Sequence, residues 1–449
     1  MSDRSGKNLL RSFAEKISSK TQKTKRENST DISPDNLSDS EKSVIENINE
    51  FITKNNDAIN EQYFTVKACG GQNKNNDIYE PIDIDTFNRQ LLRVSVAILT
   101  ANFYESEILN FNVYNKNKQK IKQLKDGLQL LGDGHITQAY IFKFGDYTVL
   151  HLHAPETGSN TPCGSADSAR FINTCKYLNP SCIISFGICF GTDMKALSLG
   201  DTIVAKKIYP WSIGLKINNS GWKIKGDDYI LDLQKSSAVL YDRIRKAAES
   251  SPILSYGHKV ELGNMLTSEA VVSNEKIKMQ AIEKAYGDKI IGGEMEAYGL
   301  AKECIYYGTT ACVVLKAICD WGAVKDIDKY IDNLIPPSEG SYKDRLQAFA
   351  AYRAFCFLSE LFDKNVFEDT VRSTYEALLN QYRPDGAVSE EDIFSFIDAF
   401  LRNQQEPLGK LSPEKRNLVC NNIFSVIKDS LIEDPQAKMY SFTNKGLFN

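Results

Sequence analysis

Four histidines in 449 residues, and no C-x-x-C pair, leave too few ligands for a zinc site by spacing. The ten cysteines, among them Cys182, Cys189, Cys304, Cys312 and Cys319, mostly sit in apolar stretches and read as buried, reduced thiols. No apolar run approaches the roughly 20 residues that a membrane helix needs. The opening MSDRSGKNLLRSFAEK lacks the apolar core of a signal peptide. Both absences point to a cytoplasmic protein with no membrane partner. A net charge of only −4 argues against nucleic acid as the main ligand. There is no Walker-type phosphate loop, and Gly158-Ser159 and Gly164-Ser165 lack the nucleophile-elbow pattern. His151 and His153 share one face of a strand, but no third ligand is in reach by sequence, so a structural role is expected and no metal.

What is present divides into three parts. Residues 1–87 are polar, basic over 4–26 and mostly acidic over 31–57, and are expected to be partly disordered or to form short helices. The helical ladders there are Leu9/Phe13/Ile17 and Ile45/Ile48/Ile52, and Cys69–Asp77 reads as a loop. Residues 88–363 alternate strands and helices. Val94–Thr100 is a continuous apolar run, as a strand buried on both faces should be. Strands follow around Gly145-Asp146, and then at Cys182–Phe186, Thr202–Ala205, Lys259–Gly263, Lys289–Ile291 and Thr310–Ile318. Helices are placed at Ser165–Tyr177, Asn274–Tyr286 and Glu296–Tyr306. This rhythm predicts an α/β domain with a mixed central sheet. A helix over 344–362, apolar nearly all round, should close it. Residues 364–449 carry three amphipathic stripes, the last opened by Ser412-Pro413-Glu414, and read as an α-helical module.

Two carboxylate-bearing segments carry the chemistry. Gly292-Gly293-Glu294-Met295-Glu296 stands at a strand-to-helix junction, and Asp320 ends the apolar strand Val314–Cys319. Breaking a ribosyl–purine bond needs an acid for the purine N7, a carboxylate near the sugar and a base for water. Asp320 fits the acid, its apolar flanks Ile318 and Trp321 favouring a raised pKa. It fits a helix N-cap equally well. One of Glu294 and Glu296 can accept both ribose hydroxyl protons while Met295 packs on the sugar. The same pair also suits a helix N-terminus dressed with acids for its dipole.

GGEMEAYGLAKEC followed by VVLKAICDW resembles the nucleoside phosphorylase/nucleosidase superfamily, on the side of the methylthioadenosine/S-adenosylhomocysteine nucleosidases. Those enzymes carry V-E-M-E-A-x-x-x-A-x-x-C and a strand ending in R-A-I-S-D. The resemblance extends over roughly 92–362 and implies that Glu296 holds the ribose hydroxyls, Met295 lines the sugar and Asp320 protonates N7. Ser185–Gly191 resembles the family's glycine-bearing strand end, which makes Gly187 and Ile188 substrate contacts. Leu199–Val204 fits its V-G-D-V-V-V. Val96–Glu105 fits the family opening, which implies that Glu105 activates the attacking water. Asn264–Val272 takes the place of the base-binding segment, with Val271 and Val272 flanking the purine. The Trp after Asp320 and the doubled Gly before Glu294 look more like nucleosidase-like domains of bacterial effector proteins, some thought to act on nucleotides such as ATP in antiphage defence.

The resulting expectation is a three-layer α/β sandwich, with its polar N-terminal segment and helical module, that hydrolyses a purine N-glycosidic bond without metal or organic cofactor. Adenine is the expected base, and the 5′ substituent stays open. Arg170, Lys206 and Lys207 are candidates for phosphate contacts or for plain solvated charges. Family members form dimers or larger homo-oligomers, so the resemblance implies one here. The N-terminal segment or residues 364–449 offer surfaces for a protein partner. Phosphorolysis is disfavoured because Ser185 and Phe186 stand where the phosphorylases place an Arg, and because Glu105 would repel phosphate. A nucleotide-binding sensor without turnover is the alternative of another class.

Overall fold

The computed structural model describes residues 39–70, 78–130, 136–154, 164–175, 178, 180–210, 215–218, 221–224, 230–253, 257–267, 288–307, 310–322, 341–382, 387–404, 411–428, 431–434 and 439–442. It divides into two compact units, residues 1–46 and 47–449. Of the first, the described residues are 39–46, the opening turns of a helix that runs to Gly70.

In the larger unit the strands are β1 (Tyr79–Ile82), β2 (Val96–Thr100), β3 (Ile121–Leu124), β4 (Leu128–Gln129), β5 (Ile136–Phe144), β6 (Tyr147–His153), β7 (Cys182–Gly191), β8 (Thr202–Pro210), β9 (Leu215–Asn218), β10 (Gly221–Ile224), β11 (Leu231–Asp232), β12 (Val260–Thr267), β13 (Ile290–Glu294) and β14 (Ala311–Asp320). The central sheet runs β1-β3-β5-β6-β2-β7-β13-β12-β8-β11, and β14 pairs with both β7 and β8. The pairings β7–β14, β14–β8, β8–β12, β12–β13 and β13–β7 therefore close five strands into a ring. Both parallel and antiparallel neighbours occur, so the domain is the mixed α/β sandwich that the sequence rhythm predicts.

Every residue of β2 is buried between parallel neighbours β6 and β7, which accounts for its unbroken apolar run. Strands β7, β8, β12 and β14 all run further than the sequence alone suggests. The doubled glycine of β13 has a steric cause where that strand crosses β7. Gly293 lies under the Phe190 ring, and a Cβ there would overlap it. The helix 342–363 buries Leu346, Phe349, Phe357 and Leu361 and packs on β14 and on the helix 103–117.

Two expectations need correction. In place of short helices before residue 88 there is a 32-residue helix, Asp39–Gly70, with a kink at Asn55. The Ile48/Ile52 ladder continues on it through the buried Ile59, Tyr63 and Val66. It also takes in Cys69 and Gly70, the start of the expected loop. The C-terminal region is not purely helical. Helices 370–382, 390–402 and 413–428 share a core that includes Leu378, Ile397 and Ile423, and a small sheet joins them. Its strands are β15 (Val388–Ser389), β16 (Leu431–Asp434) and β17 (Met439–Phe442). The expected helix at 274–286 and the Leu9/Phe13/Ile17 ladder lie outside the described residues.

Candidate active site

Strand β2 hands the chain to the helix Phe103–Asn117 through an N-cap at Asn102, with Glu105 completing a capping box. The Glu105 carboxylate is buried and takes three backbone N–H groups. Oε2 accepts from Ala101 at 2.8 Å and Asn102 at 3.0 Å, and Oε1 accepts from Ile188 at 2.9 Å. Burial raises its pKa above the usual carboxylate range, against the pull of the Lys316 ammonium and those N–H dipoles. The third donor comes from β7 because Gly187 lets Glu105 lie against the backbone. With φ +152, Gly187 sits where glycine is favoured, and a Cβ there would land on the Glu105 carboxylate. Gly187→Ala is accordingly expected to push Glu105 off the Ile188 N–H and to lower turnover more than tenfold, about the cost of one such charged hydrogen bond. Unchanged kinetics in that variant would contradict this geometry.

Lys316, in the middle of β14, is the residue that sequence reasoning missed. Its side chain is 1% exposed and its Nζ lies 3.8 Å from Glu105 Oε1 and 3.4 Å from Glu296 Oε2. Burial pulls its pKa down, but Glu105, Glu296 and Glu294 together overcome that, so the ammonium is held above the ordinary lysine range. The available signal was a single cation inside the apolar run Val313–Ile318. A buried charge of that kind is costly unless it is paired.

Glu294 and Glu296, two residues apart, do different work. Glu294 accepts from Thr267 Oγ1 through Oε1, and from the N–H groups of Glu296 and Ala297, both at 2.8 Å, through Oε2. That makes it a brace from β12 to the start of the helix 297–307. Burial raises its pKa to about 7, and the charge of Glu296 adds to the effect. Glu296 instead faces Lys316. Met295 between them is half-buried. The carbonyl of Glu296 also accepts from Ser165 Oγ.

Asp320 stands at the end of β14 after a bulge, with Cys319 as the extra residue between the pairs Ile318–Cys189 and Asp320–Phe190. Bulges re-aim side chains at such ends. Its Oδ1 accepts from Gly322 N at 2.7 Å, and Cys319 Sγ lies 3.4 Å from Oδ2. Burial pushes the Cys189 thiol, beside it on β7, well above the usual range.

Not every candidate joins this cluster. Arg170 pairs with Asp167 at 3.1 Å and Glu303 at 2.9 Å, and Lys207 pairs with Asp288 at 3.2 Å. His151 and His153 both bond Thr100 Oγ1, at 2.9 and 3.1 Å, a network that braces β2 against β6. Val271 and Val272 lie outside the described residues. A 260 Å³ cavity lined by Tyr147, Arg243, Phe367, Asp369, Arg372 and Phe400 shares no residue with the cluster.

Residues 121–336 match the model of the phosphorylase superfamily. A death domain-containing ATP nucleosidase from Amphimedon queenslandica is 26% identical over 225 residues, 46% of this chain and 39% of that protein. The chain thus spans about two fifths of the length of this curated relative. Among solved structures, the chain is similar to the methylthioadenosine/S-adenosylhomocysteine nucleosidase of Neisseria meningitidis, with 18% identity and a TM-score of 0.44 over 60% of this chain and 98% of that one. The futalosine hydrolase of Helicobacter pylori gives 13% identity and the same TM-score of 0.44 over 61% and 99%. Glu294, Glu296, Lys316 and Asp320 fall inside the matched residues, and Glu105 precedes them.

Proposed function

We propose that this protein hydrolyses the N-glycosidic bond of an adenine nucleotide and releases the base. The observation that carries the reading is the buried Glu105–Lys316–Glu296 arrangement, with Asp320 at the end of β14, the strand that carries Lys316. In this reading Glu105 takes a proton from water as the oxygen bonds to C1′. The C1′–N9 bond breaks, and its electron pair passes into the purine. Asp320 gives its proton to N7, and Glu296 accepts from the ribose hydroxyls, where positive charge builds on the sugar. Lys316 places its ammonium between the two glutamates and offsets their charge.

The same electrostatics favour water over phosphate. The one ammonium of the cluster is already shared between two carboxylates, so an incoming phosphate would meet net negative charge. The name of the Amphimedon queenslandica relative, an ATP nucleosidase, supports a nucleotide and ATP in particular as substrate. Loss of ATP would make the protein a nucleotide-depleting effector, which fits a role in antiphage defence and suggests activation through the flanking helices. A cytoplasmic homo-oligomer belongs to the same reading. Among the described residues no helix is long and apolar enough to cross a membrane.

Base release by chromatography tests the proposal. Adenosine, methylthioadenosine, S-adenosylhomocysteine, AMP and ATP are each incubated with the protein, with and without phosphate. Free adenine without phosphate, most of it from ATP, is the expected result. Release that needs phosphate, or no release from any of the five, would overturn it.

A further inference from the structure

The helix Asp39–Gly70, which precedes the family-matched residues 121–336, reaches the same strand end as Asp320. Trp321, next in the chain, is 3% exposed, and its indole Nε1 donates to Asn47 Oδ1 at 3.1 Å. Its ring packs on Gly191 of β7, where a Cβ would clash with it. Beyond it, Gly322 takes φ +59, packs on Phe190 and sends its N–H back to Asp320 Oδ1 at 2.7 Å. Asp320, Trp321 and Gly322 therefore form one turn. The carboxylate is held at one end of it, and the indole is pinned at the middle by a residue far away in sequence.

The helix that carries Asn47 is itself firmly seated. Ile52, Ile59, Tyr63 and Val66 are fully buried on it. Phe51 meets Phe349 edge-on, with centroids 5.7 Å apart. The buried Arg345 guanidinium hydrogen-bonds Asn60 and lies 5.3 Å from the Tyr63 ring centre. These contacts fix Asn47 relative to the helix 342–363, which in turn packs on β14.

We propose that Asn47 is a positioning residue for Asp320, acting through the Trp321 indole, so that the helix from Asn47 to Gly70 sets the aim of the proposed acid. This rests on the reading of Asp320 given above. It also gives a segment outside the family match a place in the reaction, through one hydrogen bond.

The test uses the full chain with the substrate that releases most adenine, in wild type, Asn47→Ala, Asn47→Asp, Trp321→Phe and the Asn47→Ala/Trp321→Phe double variant. Losing this part-buried hydrogen bond should lower kcat up to about tenfold. KM should stay within about twofold, as expected when an interaction acts mainly in the transition state. Asn47→Asp keeps the acceptor oxygen and should restore most of kcat. The double variant should be no slower than Trp321→Phe alone, because the two residues act through one bond. Ile397→Ala, in the core of the C-terminal helices, should lower Tm and leave kcat unchanged.

Hydrogen exchange at the Gly322 amide, which bonds Asp320, gives a readout independent of turnover and should quicken in Asn47→Ala. Wild-type kcat with wild-type exchange at Gly322 in Asn47→Ala would overturn the proposal, as would additive losses in the double variant. If the wild type releases no base, or Asp320→Asn is fully active, the catalytic reading has failed. The exchange rate at Gly322 then decides the positioning claim alone.

Discussion

Asp320→Asn lowers kcat for adenine release about 10²–10⁴-fold, the usual contribution of a placed general acid, with little change in KM. Asparagine keeps the shape of the side chain and an oxygen for the Gly322 N–H, so the turn at the end of β14 survives. It has no proton to give to N7. The purine must then leave with its negative charge unrelieved, a penalty felt only in the transition state. A steady-state assay of released base, with Tm measured beside it, checks this. A variant within threefold of wild type and equally stable would remove Asp320 from the mechanism.

Lys316→Met should be the most damaging single change to the fold. It leaves Glu105, Glu296 and Glu294 buried around an apolar side chain. Breaking a buried pair by removing one partner costs about 3–5 kcal/mol. The cost should depend on pH, with a definite sign. Glu294 has its pKa raised from 4.5 to about 7, and Glu105 is raised too. A carboxyl raised on folding takes up a proton as the chain folds. Its contribution to stability is complete below 4.5 and is lost as pH climbs through about 7. Lys316 pulls these values down, so its removal carries the folded values still higher. The variant should lose more Tm relative to wild type at pH 8 than at pH 5, where the carboxyls are becoming neutral. An equal Tm loss at both values would mean that the lysine matters for packing and not for charge. Turnover should be lost as well, since Glu105 would then carry the proton it must accept.

How much of this could be read from the sequence follows from how local each signal is. Val96–Thr100 and the helix 342–363 were legible because their apolar runs report burial on all sides. The candidate carboxylates Glu105, Glu296 and Asp320 were legible because each sits in a short motif with a recognisable neighbour. Lys316 was not, because its meaning depends on Glu105, which reaches it only once β2, β7 and β14 lie side by side. The separate tasks of Glu294 and Glu296 were also hidden. Residues two apart share a face only while the strand continues, and β13 ends at Glu294, so the chain turns before Glu296 and only Thr267 of β12 shows which of the two braces the fold. The long helix 39–70 looked like a tail because its buried face is narrow and the rest of its surface is polar. Strands of two to four residues beside the C-terminal helices carry too little pattern to be seen.

The place of β2 has a consequence for how this domain can be cut or recombined. It lies between β6 and β7, yet its residues precede the 121–336 segment that marks the family. A fragment trimmed to that segment would lose Glu105 and would also split the sheet along its middle. Two apolar strands would then present unpaired edges, the arrangement that invites chains to stack on one another. Grafting this chemistry onto another protein thus means carrying β2 and Glu105 along with the matched segment, or accepting an inactive and aggregating product.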